Sequence, residues 1–81
     1  ICAERSAVFQ AVLAGERRLT ALAVVAAGPL PPTPCGACRQ VLREFATDLP
    51  VYAANRTAVR TYRLAALLPE AFGPAMLQPP P

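Results

Sequence analysis

An α/β fold is predicted for this chain by three observations. Helical patterns alternate with short apolar runs, Gly and Pro residues separate these segments, and 54% of the 81 residues are hydrophobic. Alternating helices and strands form layers with at least one parallel strand pair, because each crossover returns the chain to the same end of the sheet. A chain of this length is expected to form a single domain with a small core.

The first half of the chain predicts one helix and one strand. Residues 3–14 are rich in Ala, lack Pro and are followed by Gly15, so they predict a helix. Its buried stripe is predicted to comprise Ala7, Val8, Ala11 and Val12. The apolar run 20–27 is too short for a typical helix and predicts a strand that is buried on both faces. Residues 28–34 contain four prolines and are expected to be an irregular loop.

The second half predicts a helix, two strands and a short helix. Residues 36–46 form the predicted helix, and its apolar side carries Val41, Leu42 and Phe45. Residues 50–54 and 58–63 are predicted to be short strands on either side of a turn at positions 55–56. A short helix is expected from Leu64 until Pro69 ends it.

Three residue types are absent, and their absence excludes several kinds of chemistry. The chain has no His, no Lys and no Trp, so all eight cationic side chains are Arg. Without His there is no imidazole base or ligand, and without Lys there is no Schiff base and no P-loop lysine. Acid–base chemistry is left to carboxylates, thiols, tyrosines or metal-bound water. The candidate groups are Cys2, Glu4, Glu16, Cys35, Cys38, Glu44, Asp48, Tyr52, Tyr62 and Glu70.

Charge and hydropathy predict neither a nucleic-acid partner nor a membrane. The net charge is +3, but the Arg residues are scattered apart from Arg17 and Arg18, and no aromatic-rich stretch accompanies them. No segment reaches the roughly 18 apolar residues of a membrane span. The sequence shows no secretory signal, and an odd count of three Cys argues against a disulfide framework. A cytoplasmic location with reduced thiols is therefore expected.

The cysteines form the pattern with the strongest chemical meaning. Cys35 and Cys38 lie three residues apart where the proline-rich loop meets a predicted helix, and a helix start favours thiolates. This spacing serves zinc ligation or disulfide exchange, while two buried apolar side chains are the structural alternative. Cys2 begins another predicted helix, and three sulfurs with one open position are typical of a catalytic zinc. Such a site needs a nearby carboxylate, and Glu4 follows Cys2 by two positions. A Glu in a first helical turn is otherwise a surface residue that matches the helix dipole.

These residues resemble the zinc site of the cytidine deaminases. Residues 2–5 (CAER) and 34–40 (PCGACRQ) are most similar to the small homotetrameric nucleoside enzymes with an all-cysteine site, and residues 67–72 (LLPEAF) resemble a segment near their end. The resemblance implies a three-layer α/β/α fold with strand order 2-1-3-4-5, of which the first two strands are absent from this chain. The run 20–27 is then expected to be a sheet edge. Residues 1–77 would be the C-terminal portion of one domain, followed by a disordered tail at 78–81.

The resemblance also implies a metal site. Cys2, Cys35 and Cys38 would bind Zn²⁺, and Glu4 would carry a proton from water to N3 of the pyrimidine and then to the leaving amine. A zinc ion with three thiolates carries a net negative charge, which makes it a poorer Lewis acid. Arg5 lies three residues after Cys2, and we expect its guanidinium to offset that charge beside the thiolates.

The remaining implied roles concern substrate and assembly. The Ala3 backbone would contact the pyrimidine carbonyl, the Pro34 carbonyl would contact the amino group, and Phe72 would pack on the base in a neighbouring subunit's site. A plain core aromatic is the alternative for Phe72. The implied reaction is hydrolytic deamination of cytidine or deoxycytidine in pyrimidine salvage. A homotetramer is implied, or pairing with the missing N-terminal segment that binds ribose.

Two other functions stay open from the sequence. A thiol–disulfide oxidoreductase built on Cys35 and Cys38 would leave Cys2, Glu4 and Arg5 without a role. A non-catalytic fragment would use zinc only to hold its fold together.

Overall fold

The structure is a computed structural model that describes residues 2–77. Within these residues, three helices and three strands occur in the order helix-strand-helix-strand-strand-helix, and a 3₁₀ turn, Pro74–Leu77, follows. The bounds are α1 Ala3–Leu13, β1 Leu22–Val25, α2 Gly36–Phe45, β2 Pro50–Ala54, β3 Val59–Arg63 and α3 Leu64–Leu67. The predicted α/β class is confirmed, and every predicted element is present. Strand β2 has the predicted bounds, β1 is half as long as predicted, and the other elements are one residue shorter.

Helix α1 ends shortly before Gly15, as the sequence predicted. Gly15 has a φ of +92°, a left-handed conformation that only Gly adopts without strain. Val8 is buried, and Ala11 and Val12 are half-buried, as predicted. The prediction for Ala7 is wrong, because its side of α1 borders an open cavity and the residue is exposed.

Strand β1 corrects the prediction that residues 20–27 are buried on both faces. Leu22 and Val24 are half-buried, whereas Ala23 is exposed and 75% of Val25 is accessible to solvent. Within residues 2–77, β1 pairs only with β2, so it is an edge strand as the resemblance implied. Only the face that bears Leu22 packs on the core, and this explains the alternating burial.

The sheet is mixed and has the order β1-β2-β3. Strands β1 and β2 are parallel, with Leu22 opposite Val51, and β2 and β3 are antiparallel, with Val51 opposite Tyr62. The predicted turn between β2 and β3 is confirmed at Asn55, whose side-chain oxygen accepts hydrogen bonds from the backbone N–H groups of Thr57 and Ala58. This is the local pairing that makes Asn a frequent turn residue.

The core holds the helices against the sheet. Its buried residues come from both long helices, from β2 and from the segments beside it, and they are Val8, Leu42, Leu49, Val51 and Leu64. Val41 and Phe45 pack against this cluster from α2, as the helical spacing predicted. Helices α1 and α2 share one core, and the sulfurs of Cys2 and Cys35, which precede them, lie 3.4 Å apart, so the beginnings of the two helices lie side by side.

Some expectations concern residues beyond these elements. The turn Pro74–Leu77 was not predicted, because four residues with no buried member leave no hydrophobic period to detect. The tail predicted at 78–81 lies outside the described residues, as does Ile1. In the part of the chain that the structure describes, no helix has the length and apolar character needed to cross a membrane.

Candidate zinc centre

The site is built from two helix starts. Cys2 immediately precedes α1 and Cys35 immediately precedes α2, and both have extended backbone angles. Cys38 lies in the first turn of α2, on the same side as Cys35. The structure therefore brings together the three cysteines that the sequence singled out, although 32 residues separate the first two.

The three sulfur atoms have the spacing of a shared metal ligand set. The Sγ atom of Cys35 lies 3.4 Å from that of Cys2 and 3.4 Å from that of Cys38, and all three lie within 4.8 Å of one another. A tetrahedral zinc ion with Zn–S bonds of about 2.3 Å separates its sulfurs by roughly 3.8 Å. The soft thiolate donors and their spacing both fit zinc. Disulfide exchange uses two sulfurs, so it gives no role to the third sulfur of this cluster.

The two cysteines of α2 differ in acidity. The backbone N–H of Cys38 donates to the Cys35 sulfur, and this bond above all lowers the pKa of Cys35 to about 7. Burial raises the pKa of Cys38 to about 11, because a buried thiolate loses its hydration. The helix start thus favours a thiolate at Cys35, as expected, while the interior position of Cys38 opposes one.

Arg5 lies against the sulfur cluster. Its Nη2 atom is 3.9 Å from the Cys2 sulfur, a long hydrogen bond to sulfur. Contacts with the sulfurs of Cys2 and then Cys38 raise the pKa of Arg5 above its ordinary value. Its Nε atom is buried and has no hydrogen-bond partner within the described residues. A fixed positive charge therefore stands beside the proposed ligands.

Glu4 and Ala3, which follow Cys2 in the chain, border an open cavity of about 210 Å³ that none of the three cysteines lines. The opposite wall of this cavity is formed by β1, Leu22–Val25. Glu4 is half-buried and is not a member of the three-sulfur cluster. Glu4 therefore lies at the edge of this cavity and outside the set of three sulfurs.

The predicted substrate contacts Pro34 and Phe72 do not line this cavity. Pro34 is buried, and its carbonyl oxygen accepts a hydrogen bond of 2.6 Å from Nε of Arg39. Phe72 is 50% exposed, which excludes the alternative that it is a core aromatic of the described fold. Its backbone oxygen accepts a hydrogen bond of 3.0 Å from the side chain of Gln40.

Sequence reasoning gave no individual role to Arg39, which follows Cys38 directly. Its guanidinium donates hydrogen bonds to Pro34, Leu67 and Thr33. A signal was present, because a cation near the positive end of a helix is unfavourable unless oxygen acceptors surround it. The sequence could not supply those acceptors, since Leu67 lies 28 residues away.

Comparisons with known proteins agree with this geometry. Residues 1–54 match the family model described as the cytidine and deoxycytidylate deaminase zinc-binding region. The chain is similar to cytidine deaminases of Sporosarcina psychrophila (51% identity over 73 residues) and Halalkalibacterium halodurans (45% over 73 residues), and each alignment covers 88% of this chain. It spans about half of those relatives, 54% and 55% of their lengths.

A solved structure has the same fold. The crystal structure of cytidine deaminase from Burkholderia pseudomallei is similar with a TM-score of 0.82 and 45% identity, over 89% of this chain and 60% of that chain. The matched family and the sulfur cluster together show that this chain carries a zinc site. The chain belongs to the cytidine and deoxycytidylate deaminase zinc-binding family.

Proposed function

We propose that this chain is the zinc-binding part of an enzyme that hydrolyses cytidine or deoxycytidine to uridine or deoxyuridine and releases ammonia. The observation that carries the proposal is the cluster of three sulfurs within 4.8 Å, in a chain where Glu4 follows Cys2 by two positions and borders an open cavity. The similar proteins reported above are cytidine deaminases, and this supports the same reaction.

Cys2, Cys35 and Cys38 are the residues that would hold the metal. Zinc held by three thiolates supplies a Lewis acid that makes water more acidic near neutral pH. Arg5 offsets the negative charge of the thiolates, because its guanidinium donates towards Cys2. Cys38, which is only 1% exposed, anchors the ligand set in the protein interior.

Glu4 would move the protons of the reaction. Its carboxylate accepts a proton from the attacking water and delivers it to N3 of the cytosine ring. It then passes the second water proton to the amino group, which leaves C4 as ammonia while the water oxygen remains on C4. A carboxylate is the group available for this work, because the chain contains no His and no Lys.

The backbone would orient the base. The N–H of Ala3 belongs to the first residue of α1 and lacks a partner within the helix, so it can donate to the pyrimidine carbonyl. The Pro34 carbonyl accepts one bond from Arg39 and retains a lone pair for the substrate amino group. Phe72 would pack on the base in a neighbouring subunit, and its 50% exposure leaves the ring available for such a contact.

The assembly and the cellular setting complete the proposal. A cytoplasmic homotetramer with a role in pyrimidine salvage fits a small-molecule nucleoside substrate and thiol ligands. The edge of β1 and the exposed ring of Phe72 are surfaces that such an assembly, or an N-terminal segment, would cover. Sedimentation velocity with and without zinc measures the mass of the assembly, and a monomer would contradict the tetramer.

The variant Glu4→Gln tests the proton role. We expect deamination, measured by the absorbance change from cytidine to uridine, to fall about 10²–10⁴-fold because Gln cannot carry a proton. Zinc content should stay the same, since Glu4 is not a member of the sulfur cluster.

The matched control is Glu16→Gln, which removes an exposed carboxylate beyond the end of α1 and should leave the rate unchanged. Removing zinc with a chelator should abolish activity, and added zinc should restore it. An unaltered rate in Glu4→Gln would show that another group carries the proton. A protein that holds zinc but never deaminates cytidine would instead support a structural role for the metal.

A further inference from the structure

Arg39 joins three parts of the chain through one guanidinium group. From its half-buried position in α2, Nε donates to the Pro34 carbonyl at 2.6 Å and Nη1 donates to the Leu67 carbonyl at 2.7 Å. Nη2 donates to Oγ1 of Thr33 at 3.0 Å. Two acceptors therefore lie immediately before Cys35, and the third lies in the last residue of α3.

The bond to Pro34 acts directly on a zinc ligand. The Pro34 carbonyl oxygen and the Cys35 Cα atom belong to the same planar peptide group. A hydrogen bond that fixes the oxygen therefore fixes the orientation of this group and, with it, the position of the Cys35 Cα atom. The bond is short and charge-assisted, which makes it one of the stronger hydrogen bonds that the chain forms. The loop before Cys35 has four prolines but no strand or helix of its own, so this plane is oriented by the packing of the buried Pro34 and by the Arg39 hydrogen bond.

The guanidinium also connects this loop to a rigid support. Leu67 belongs to α3, and Leu64 at the start of α3 is fully buried in the core. A planar guanidinium holds three acceptors in fixed relative positions, whereas the ammonium of Lys lacks this planar fork. Arg39 thus links the loop before Cys35 to α3, which is anchored in the core.

We propose that Arg39 is a positioning residue of the zinc centre, which holds Cys35 in ligand geometry and so slows the release of zinc. This deepens the proposed function, because it concerns the same site, but it rests on the zinc site and not on deamination. A protein that binds zinc and lacks deaminase activity would therefore overturn the proposed function and leave this inference intact.

The experiment measures zinc release from the zinc-loaded protein into an excess of a chromogenic chelator. The variants are Arg39→Gln, Arg39→Lys and Thr33→Val, each first shown by circular dichroism to keep its helix content. We expect Arg39→Gln to release zinc about 10-fold faster or more, within the range known for residues that orient metal ligands. Arg39→Lys should be intermediate, and Thr33→Val should show the smallest change because the Pro34 and Leu67 bonds remain.

The matched control is Arg43→Gln. Arg43 lies one turn further along α2, and none of the hydrogen bonds observed in residues 2–77 joins it to the 33–34 loop. The control removes the same charge from the same helix, so its zinc release should equal that of the unaltered protein. Equal acceleration in Arg39→Gln and Arg43→Gln would mean that lost charge explains the effect, and would overturn the proposal.

Replacing zinc with cobalt distinguishes a change in the geometry of the sulfur ligands from a general loss of protein stability. The sulfur-to-cobalt charge-transfer band and the d–d bands report ligand geometry, so we expect their positions to shift in Arg39→Gln. A merely destabilised protein would lose band intensity without a shift. Unchanged bands together with unchanged zinc release would overturn the proposal. If Arg39→Gln fails to fold, Arg39→Lys and Thr33→Val decide the matter by the same two measurements, and wild-type behaviour of both overturns it.

Discussion

The zinc end of the molecule and the β1 edge are organised in opposite ways. At the zinc end, the side chains have specific partners: the three sulfurs approach one another, Arg5 faces Cys2, and Arg39 binds the loop before Cys35. At the β1 edge, the residues are apolar and pair on one side only among the described residues, and alternate ones are exposed, with Val25 75% exposed.

The difference shows where single side chains matter. A buried group with a specific partner is costly to replace, because its partner is left unsatisfied. An apolar side chain at an exposed strand edge has few neighbours to lose. The sharpest effects of substitution are therefore expected at the zinc end, and the mildest at the solvent-facing positions of β1.

The largest effect is expected from Cys38→Ser. The substitution removes one of three sulfur ligands and places a hydroxyl where the side chain is 1% exposed. Zinc affinity should fall by more than the ~10–100-fold that follows the loss of an outer partner. Metal analysis after gel filtration checks this expectation, and about one zinc per chain in the variant would contradict the three-sulfur site.

A second prediction compares matched valines on the two neighbouring strands. Val51→Ala in β2 empties a site that is 0% exposed and should lower the free energy of unfolding by about 2 kcal/mol. Val25→Ala in β1 removes the same atoms from a site that is 75% exposed, and the change should stay within about 0.5 kcal/mol. Urea denaturation measures both. Equal losses would mean that the outer face of β1 is covered by another segment or chain.

A small effect is also expected at Asp48, which has specific partners but is exposed. It accepts a hydrogen bond from the backbone N–H of Ala65 and pairs with Arg63 at 3.0 Å. These contacts, the Ala65 bond first, lower the pKa of the Asp48 carboxyl below its ordinary value of 3.8. The carboxylate therefore contributes fully to stability above that ordinary value, and the contribution is lost as the pH falls through the lowered pKa.

The variant Asp48→Asn should accordingly lose stability less steeply with acid than the unaltered protein below pH 3.8. Thermal unfolding followed over a series of acidic buffers measures the two slopes. If the stability of both proteins falls with the same slope, the ion pair contributes nothing measurable to the free energy of unfolding, as is common for exposed pairs.

Sequence reasoning located the elements well where the signals are local. The helix predicted at 36–46 is observed at Gly36–Phe45, because a cysteine at the cap, a proline-rich loop before it and a clear apolar side all lie within a few turns. The turn at Asn55 was found for the same reason. The burial of β1 was predicted less well. An apolar run shows that its side chains can be buried, but it does not show whether other segments pack on both faces of the strand.

The sequence by itself determined the order of elements and the chemistry of the site. The absence of His and Lys excluded imidazole and lysine chemistry, and the sequence placed three thiols, with a carboxylate two positions after the first, at two predicted helix starts. Only the tertiary structure decided the sulfur spacing, the opposite pKa shifts of Cys35 and Cys38, the acceptors of Arg39 and the exposure of β1. Each of these depends on distance and burial between segments far apart in the chain, and the periodicity of a sequence carries no information about such separations.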